Sequence, residues 1–254
     1  MKKVVINYLV IAVLTLSAAF TSCNKDEDEW EMTMTRVMHG QVRLIMTGSS
    51  NCRIDCGDGS EIEEYAFSGE EDFFYHFYTV ATFHTITISG RDITSLDCYG
   101  NQLKSLDVSK NPALKILNCM SNQIKNLDVS KNTALIQLNC CHNQLKSLDV
   151  NTALMELWCG GNQLTSLDVS KNIVLKELFC WDNQITKLDV SKNTALEDLD
   201  CSENKLEAAA LNALFESLNS NEGVKNIDIS DNPGTNSCDQ SIATKKGWQV
   251  ADNY

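Results

Sequence analysis

The amino-acid sequence predicts a leucine-rich-repeat solenoid preceded by a small all-β sandwich. In the central part of the chain, leucines, one cysteine and one asparagine recur at fixed slots of a repeated unit. The cysteines of six successive units lie 21, 21, 19, 21 and 21 residues apart. Self-similarity at this period is typical of leucine-rich coils stacked side by side. The short spacing reflects a deletion, because Asn151 directly follows Val150 with no Ser-Lys between them.

Each unit opens with Leu-x-x-Leu-x-Cys, which predicts a short strand whose alternate side chains point to opposite faces. In the second unit, Leu117 and Cys119 are expected to face the core, with Ile116, Asn118 and Met120 facing outward. Successive strands then form one parallel sheet, and the Leu-Asp-Val segments lie extended on the convex side, with few helices. Several coils are needed because none can bury its apolar side alone.

The repeated cysteine is expected to act as a small hydrophobic residue inside the coil. Neighbouring strands lie about 4.8 Å apart, whereas the Cβ atoms of a disulfide lie about 3.8 Å apart with a specific torsion. We therefore predict free thiols in a structural ladder formed by Cys98, Cys119, Cys140, Cys159, Cys180 and Cys201.

A second structural ladder is predicted from the repeated asparagine, which stands where the chain leaves the sheet. Its amide is expected to bond backbone groups that have no other partner, and losing such a bond costs about 1–3 kcal/mol. The ladder comprises Asn101, Asn122, Asn143, Asn162, Asn183, Asn204 and Asn232.

This unit resembles the cysteine-type, 21-residue leucine-rich repeats of internalin J-like proteins and of Bacteroidetes-type surface lipoproteins. The resemblance rests on the cysteine slot followed by Asn-Gln-Leu and Leu-Asp-Val-Ser-Lys-Asn, and it covers about residues 93–232. It implies adhesion or ligand binding at a cell surface.

Residues 1–22 are interpreted as a lipoprotein signal peptide, with a positive start and an apolar run too short to favour a permanent membrane span. Phe20-Thr21-Ser22-Cys23 resembles a lipobox, so Cys23 is the predicted lipidation site and membrane anchor. Residues 23–32 form an acidic tether, in which Lys25-Asp26-Glu27 resembles the export signal of Bacteroidetes surface lipoproteins. We expect an outer-membrane lipoprotein that faces the cell exterior; ordinary secretion with an incidental cysteine is the alternative.

Residues 33–91 are predicted to form the sandwich module. Ile54–Gly59 and His76–Gly90 resemble the matching segments of PKD-like β-sandwich modules, with Cys56 where those have tryptophan. Residues 92–206 hold the repeats. Residues 207–254 form the last repeat and a C-terminal cap, in which Trp248 is expected to plug the core.

The composition argues against several functions. A net charge of −13 disfavours nucleic acid, which needs a basic footprint. No nucleophile motif, phosphate loop or metal spacing is present, so we expect no enzyme, no cofactor and no metal. The carboxylates Glu156, Glu177 and Asp198 share an outward column, but a hydrolase also needs a pocket that raises one pKa, and none is expected on a sheet.

The outward strand positions carry the functional prediction, since the fold does not dictate them. Trp158, Phe179 and Trp181 cluster on neighbouring coils, and Gly160 is expected to leave a notch beside them. Exposed aromatic clusters mark binding surfaces; mutual shielding of sheet-favouring residues is the alternative. The predicted ligand-binding residues are Tyr99, Met120, Glu156, Trp158, Glu177, Phe179, Trp181 and Asp198.

The predicted function is therefore binding of a protein or glycan at the cell surface by the concave face. The rival is a non-adhesive structural or accessory component of an outer-membrane assembly, and a hydrolase is the remote third.

Overall fold

The computed structural model describes residues 30–37 and 39–251. The predicted signal peptide, Cys23 and most of the tether lie outside the described residues. Among the helices that are described, none is both long and apolar enough to cross a bilayer.

The N-terminal module is a β-sandwich that merges with the first coil. Its strands are β1 (Trp30–Arg36), β2 (Gly40–Gly48), β3 (Cys52–Asp55), β4 (Glu63–Tyr65), β5 (Asp72–Tyr78) and β6 (His84–Gly90). The first strand begins at Trp30, within the segment predicted as tether. The first coil adds β7 (Ile93–Asp97) and β8 (Ser105–Asp107). One sheet has the order β4-β3-β6-β1-β8, and β5-β2-β7 form the end of the other.

The sandwich closes the N-terminal end of the solenoid because each side of the first coil pairs with it. Strand β7 runs antiparallel to β2, and β8 runs antiparallel to β1. Alternate residues of β2, among them Val42 and Leu44, are fully buried. They lie in the same continuous core as Ile86 and Ile88 of β6, so the solenoid has no open N-terminal end.

The solenoid strands are β9 (Ile116–Asn118), β10 (Gln137–Asn139), β11 (Glu156–Trp158), β12 (Glu177–Phe179), β13 (Asp198–Asp200) and β14 (Lys225–Asp228). They pair in parallel and in register from β7 to β14. Leu117 and Cys119 are fully buried while Ile116 is 39% exposed, which is the predicted alternation. The predicted leucine-rich-repeat solenoid with few helices is confirmed.

The predicted asparagines join each coil to the next. The side-chain oxygen of Asn143 accepts from the backbone N–H of Ile124 at 3.0 Å. Its amide nitrogen donates to the carbonyls of Cys119 and Cys140 at 3.0 and 3.1 Å. The first member, Asn101, makes paired bonds with the backbone of Arg43 in β2, so the ladder continues into the sandwich.

A further ladder of buried asparagines runs along the opposite side. The amide of Asn132 donates to the carbonyls of Val108 and Asn111, both at 2.7 Å. This slot is the last residue of the Asp-Val-Ser-Lys-Asn segment, and the sequence analysis did not predict a ladder there. The members are Asn111, Asn132, Asn151, Asn172 and Asn193.

The ladder thiols are free and lie in the core, at most 1% exposed. Burial raises the pKa of each of them, to about 12 for Cys119. Because the thiolate is the reactive form, these thiols should be inert in the folded protein.

We expect alkylation at pH 8 without reductant to be slow for nine of the ten described cysteines, since only Cys238 is not fully buried. In denaturant all ten should react, and Cys23, if unmodified, adds an eleventh. Thiol titration in both states measures this. Loss of the six ladder thiols from the denatured count would mean that they are bridged.

The C-terminal cap consists of α1 (Ala208–Ser217), α2 (Ser241–Thr244) and the edge strand β15 (Trp248–Ala251). Trp248 is 2% exposed. Its indole N–H donates to the carbonyl of Asn219 at 2.8 Å, and the Lys225 Nζ lies 5.6 Å from the ring centroid. Trp248 thus fills the last coil, as the sequence predicted.

Candidate ligand-binding surface

The solvent-facing side of the ten-stranded sheet is called the strand face here. Strand register places Trp158 between Asn139 and Phe179. This row of outward-facing residues continues from the repeats into the sandwich, because Asp97 pairs with Ile45 of β2 and Ile45 pairs with Phe73 of β5. The strand face therefore extends over both the solenoid and one sheet of the sandwich.

Trp158 and Phe179 form the centre of the aromatic cluster. Their rings are nearly parallel, at 12°, with centroids 6.1 Å apart. The Trp158 indole N–H donates to a Glu177 carboxylate oxygen at 3.3 Å. Both rings are half-buried, so the cluster shields itself in part and still presents apolar surface.

Trp181 occupies the notch that the sequence predicted beside Gly160, so that expectation is wrong. A Cβ on Gly160 would lie 2.4 Å from the Trp181 ring. The same ring meets the His142 imidazole edge to face, with centroids 5.1 Å apart. His142 in turn lies over Gly161. The sequence analysis missed His142. The signal in the sequence was the pair Gly160-Gly161, because two adjacent residues without side chains leave room for two rings to lie against the backbone.

Tyr99 and Met120 are not part of this cluster. Tyr99 is 51% exposed but stands three coils from Trp158, a separation of about 14 Å across parallel strands. Met120 is half-buried, and its sulfur lies 3.8 Å from the Asn139 amide nitrogen.

Carboxylates line one side of the aromatic cluster. Glu156, Glu177 and Asp198 are in register on adjacent strands. Burial, and then repulsion by Glu177, raises the pKa of Glu156 and of Asp198. Burial also raises the pKa of Asp200, with Asp228 adding to the effect. The sequence analysis expected no pocket here that raises a carboxylate pKa; desolvation by neighbouring side chains nevertheless raises the pKa of Glu156 and of Asp198 on this sheet.

A groove of about 280 Å³ connects the sandwich to the aromatic cluster. Ile45 and Glu71 contribute from the sandwich, and Trp158 lies on the repeat side. Between them, the Asn118 amide donates to the Asp97 carboxylate at 2.9 Å. The sequence interpretation missed this groove because Ile45 and Glu71 are far from the repeats along the chain.

Within the described residues, no group of three or more His, Cys, Asp or Glu side chains is placed to hold a metal ion. Cys141 is 5% exposed, and burial raises the pKa of its thiol to about 11. The neighbouring His142 points toward Trp181. These two residues offer no activated nucleophile.

We expect Asp200→Asn to stabilise the protein at pH 7 by roughly 0.5 kcal/mol, since it removes a partly desolvated charge. The raised pKa means that charged Asp200 destabilises the fold above that pKa, and that this cost shrinks as pH falls through it and is gone only below about 4, the pKa of an unfolded aspartate. Thermal unfolding at pH 7 and pH 4 measures the difference. The matched control is Asp107→Asn, an exposed aspartate with the same bond to the second residue beyond it; equal effects of both variants would contradict the account.

Neither a protein-family model nor a curated protein matches the chain. The functional domain of InlJ from Listeria monocytogenes, which includes a cysteine ladder, shows 37% identity and a TM-score of 0.42; the match covers 60% of this chain and 37% of that one. A leucine-rich-repeat protein from Leptospira interrogans shows 24% identity and a TM-score of 0.41, covering 58% and 44%. An internalin of L. monocytogenes, InlF, shows 18% identity and a TM-score of 0.40, covering 63% and 62%. The chain thus spans less than two thirds of each of these structures.

Proposed function

We propose that this protein is a surface lipoprotein whose strand face, the concave face of the solenoid, binds a protein or a glycan. The observation that carries the proposal is the pair of aromatic contacts on neighbouring coils: Trp158 with Phe179, at outward positions of β11 and β12, and His142 with Trp181, just beyond the ends of β10 and β12. Aromatic side chains dominate the binding energy of many interfaces. Here they lie beside carboxylates, which suits a ligand with basic groups or hydroxyls.

The cell-surface location is part of the proposal. Lipid on Cys23 would anchor the chain, the acidic tether would follow it, and the outer membrane, facing the exterior, is the expected site. That the sandwich is a PKD-like module stays a prediction. A role as a non-adhesive accessory component of an outer-membrane assembly is the rival.

Binding is favoured over catalysis by the form of the carboxylate column. Glycoside hydrolysis uses two carboxyl groups that flank the scissile bond. Glu156, Glu177 and Asp198 instead stand side by side on adjacent strands of one sheet, where they face a ligand from the same side.

The experiment is a binding screen of residues 24–254 on an array of glycans and extracellular proteins. The variant Trp158→Ala/Phe179→Ala/Trp181→Ala, checked for folding by circular dichroism, should bind the hit at least tenfold more weakly, because aromatic anchors of this kind are worth about 2 kcal/mol or more. The control is Ile173→Ala/Val174→Ala, two exposed apolar residues outside the strands. Binding kept in the triple variant would move the site elsewhere, and no hit would favour the accessory role.

A further inference from the structure

Strand β5 forms one edge of the ten-stranded sheet. The Tyr65 hydroxyl donates to the Phe73 carbonyl at 2.9 Å, so that carbonyl points away from β2. In an antiparallel ladder, the N–H and C=O of one residue point to the same side, and successive residues alternate. The register with β2 has no bulge, so Tyr75 and Phe77 also turn their backbone groups toward the open edge.

The same three residues form an exposed aromatic stripe. Phe73, Tyr75 and Phe77 are 47%, 51% and 64% exposed. The seven residues of β5 include no proline, lysine or arginine. Soluble proteins use proline and charged residues of this kind to protect a sheet edge from pairing with another chain. The Tyr65 hydroxyl already bonds the Phe73 carbonyl and must release it when another strand pairs there. With no strand beyond β5 among the described residues, this aromatic edge is a template for a further strand.

We propose that β5 pairs antiparallel with β5 of a second copy of this chain, around a two-fold axis at Tyr75. The outward pattern Phe73-Tyr75-Phe77 reads the same in both directions, so the axis sets each Phe73 opposite a Phe77. Cross-strand aromatic pairs stabilise antiparallel strands. A two-fold contact of one patch with itself is also the commonest form of a soluble dimer.

The charges near β5 favour the antiparallel arrangement. Glu70, Glu71 and Asp72 stand at the start of the strand, whereas its other end continues as Tyr78, Thr79 and Val80. Antiparallel pairing around Tyr75 sets the acidic end of each copy against the uncharged end of the other. Parallel pairing would place six carboxylates together, and like charges directly opposite are destabilising.

Such a dimer joins two ten-stranded sheets edge to edge. The strand faces of both copies then form one surface, because the outward side of β5 belongs to the strand face. A surface ligand with repeated epitopes would meet two sites at once, which raises avidity without any new contact in either site. The dimer itself does not depend on the proposed ligand.

The first test is sedimentation velocity of the full-length chain carrying Cys23→Ser. The protein should sediment as a dimer, and Tyr75→Lys should weaken association at least tenfold. The control Val224→Lys changes a residue that is 71% exposed, before β14 near the other end of the sheet, and should remain dimeric. A wild-type monomer at all concentrations, or a Tyr75→Lys dimer, would overturn the proposal.

A cysteine pair tests the register independently of any charge effect. At the two-fold axis, the Cα atoms of two Tyr75→Cys residues lie about 5.5 Å apart, within disulfide range. Two Phe77→Cys residues lie four positions out of register, about 13 Å apart, too far to bridge. Tyr75→Cys should give a covalent dimer on a non-reducing gel, and Phe77→Cys should not. The proposed pairing is overturned if both cysteine variants cross-link or if neither does. Species larger than a dimer would indicate that β5 contacts β15 of another copy, and they also overturn it.

Discussion

Asn143→Ala is expected to lower the free energy of unfolding by about 3 kcal/mol, because one side chain serves two coils. The backbone N–H of Ile124 donates to the side-chain oxygen of Asn143. The substitution removes that acceptor and leaves a buried donor without a partner. The carbonyls of Cys119 and Cys140 each lose one donor but keep another, from Asn122 and Asn162. The orphaned N–H therefore accounts for most of the loss.

Urea unfolding followed by circular dichroism measures this effect. Asn126→Ala is the matched control, since Asn126 stands in the preceding repeat, two residues after Ile124, and is exposed. We expect that variant to stay within about 0.5 kcal/mol of the wild type. A loss below about 1 kcal/mol for Asn143→Ala would show that the ladder is not a main source of stability.

Trp248→Ala is expected to cost about 3–5 kcal/mol, the range for removing a buried aromatic ring. The ring closes the last coil and also holds Asn219 through its indole N–H. Trp248→Phe keeps most of the volume and loses that bond, so it should cost less. In a solenoid each repeat contacts only its neighbours, so the loss should appear first in the cap.

Hydrogen exchange of the Trp248→Ala variant reports where the structure opens. Protection should fall in β14 and β15 while the strands from β9 to β11 keep theirs. A uniform loss of protection along the whole array would mean that the solenoid unfolds as one unit, and that the cap has no local role.

The repeated core was predictable because the repeat period and the alternation of side chains along each strand both mark the same residues as buried. Leu117 and Cys119 face inward for the reason that any strand alternates. The second asparagine ladder was missed because Asn132 stands in a segment rich in turn-forming residues, and a turn residue and a buried amide look alike in sequence. The pairing of β2 with β7 was also hidden, since the alternation of β2 is the same whichever strand it pairs with.

The candidate site was predictable in its residues more than in its shape. Register alone places Trp158 beside Phe179, and the structure adds their near-parallel rings. Sequence could not show that Trp181 lies down on Gly160, because that depends on side-chain rotation. The groove at Ile45 and Glu71 depends on how the sandwich meets the first coil, which no local pattern encodes.

The most direct test of the central claim is hydroxyl-radical footprinting of the chain with and without its array ligand. The proposed strand-face site predicts protection of Trp158, Phe179 and Trp181 on binding, with Ile173 and Val174 unchanged. Protection that leaves these three aromatic side chains untouched and appears elsewhere on the chain would contradict it.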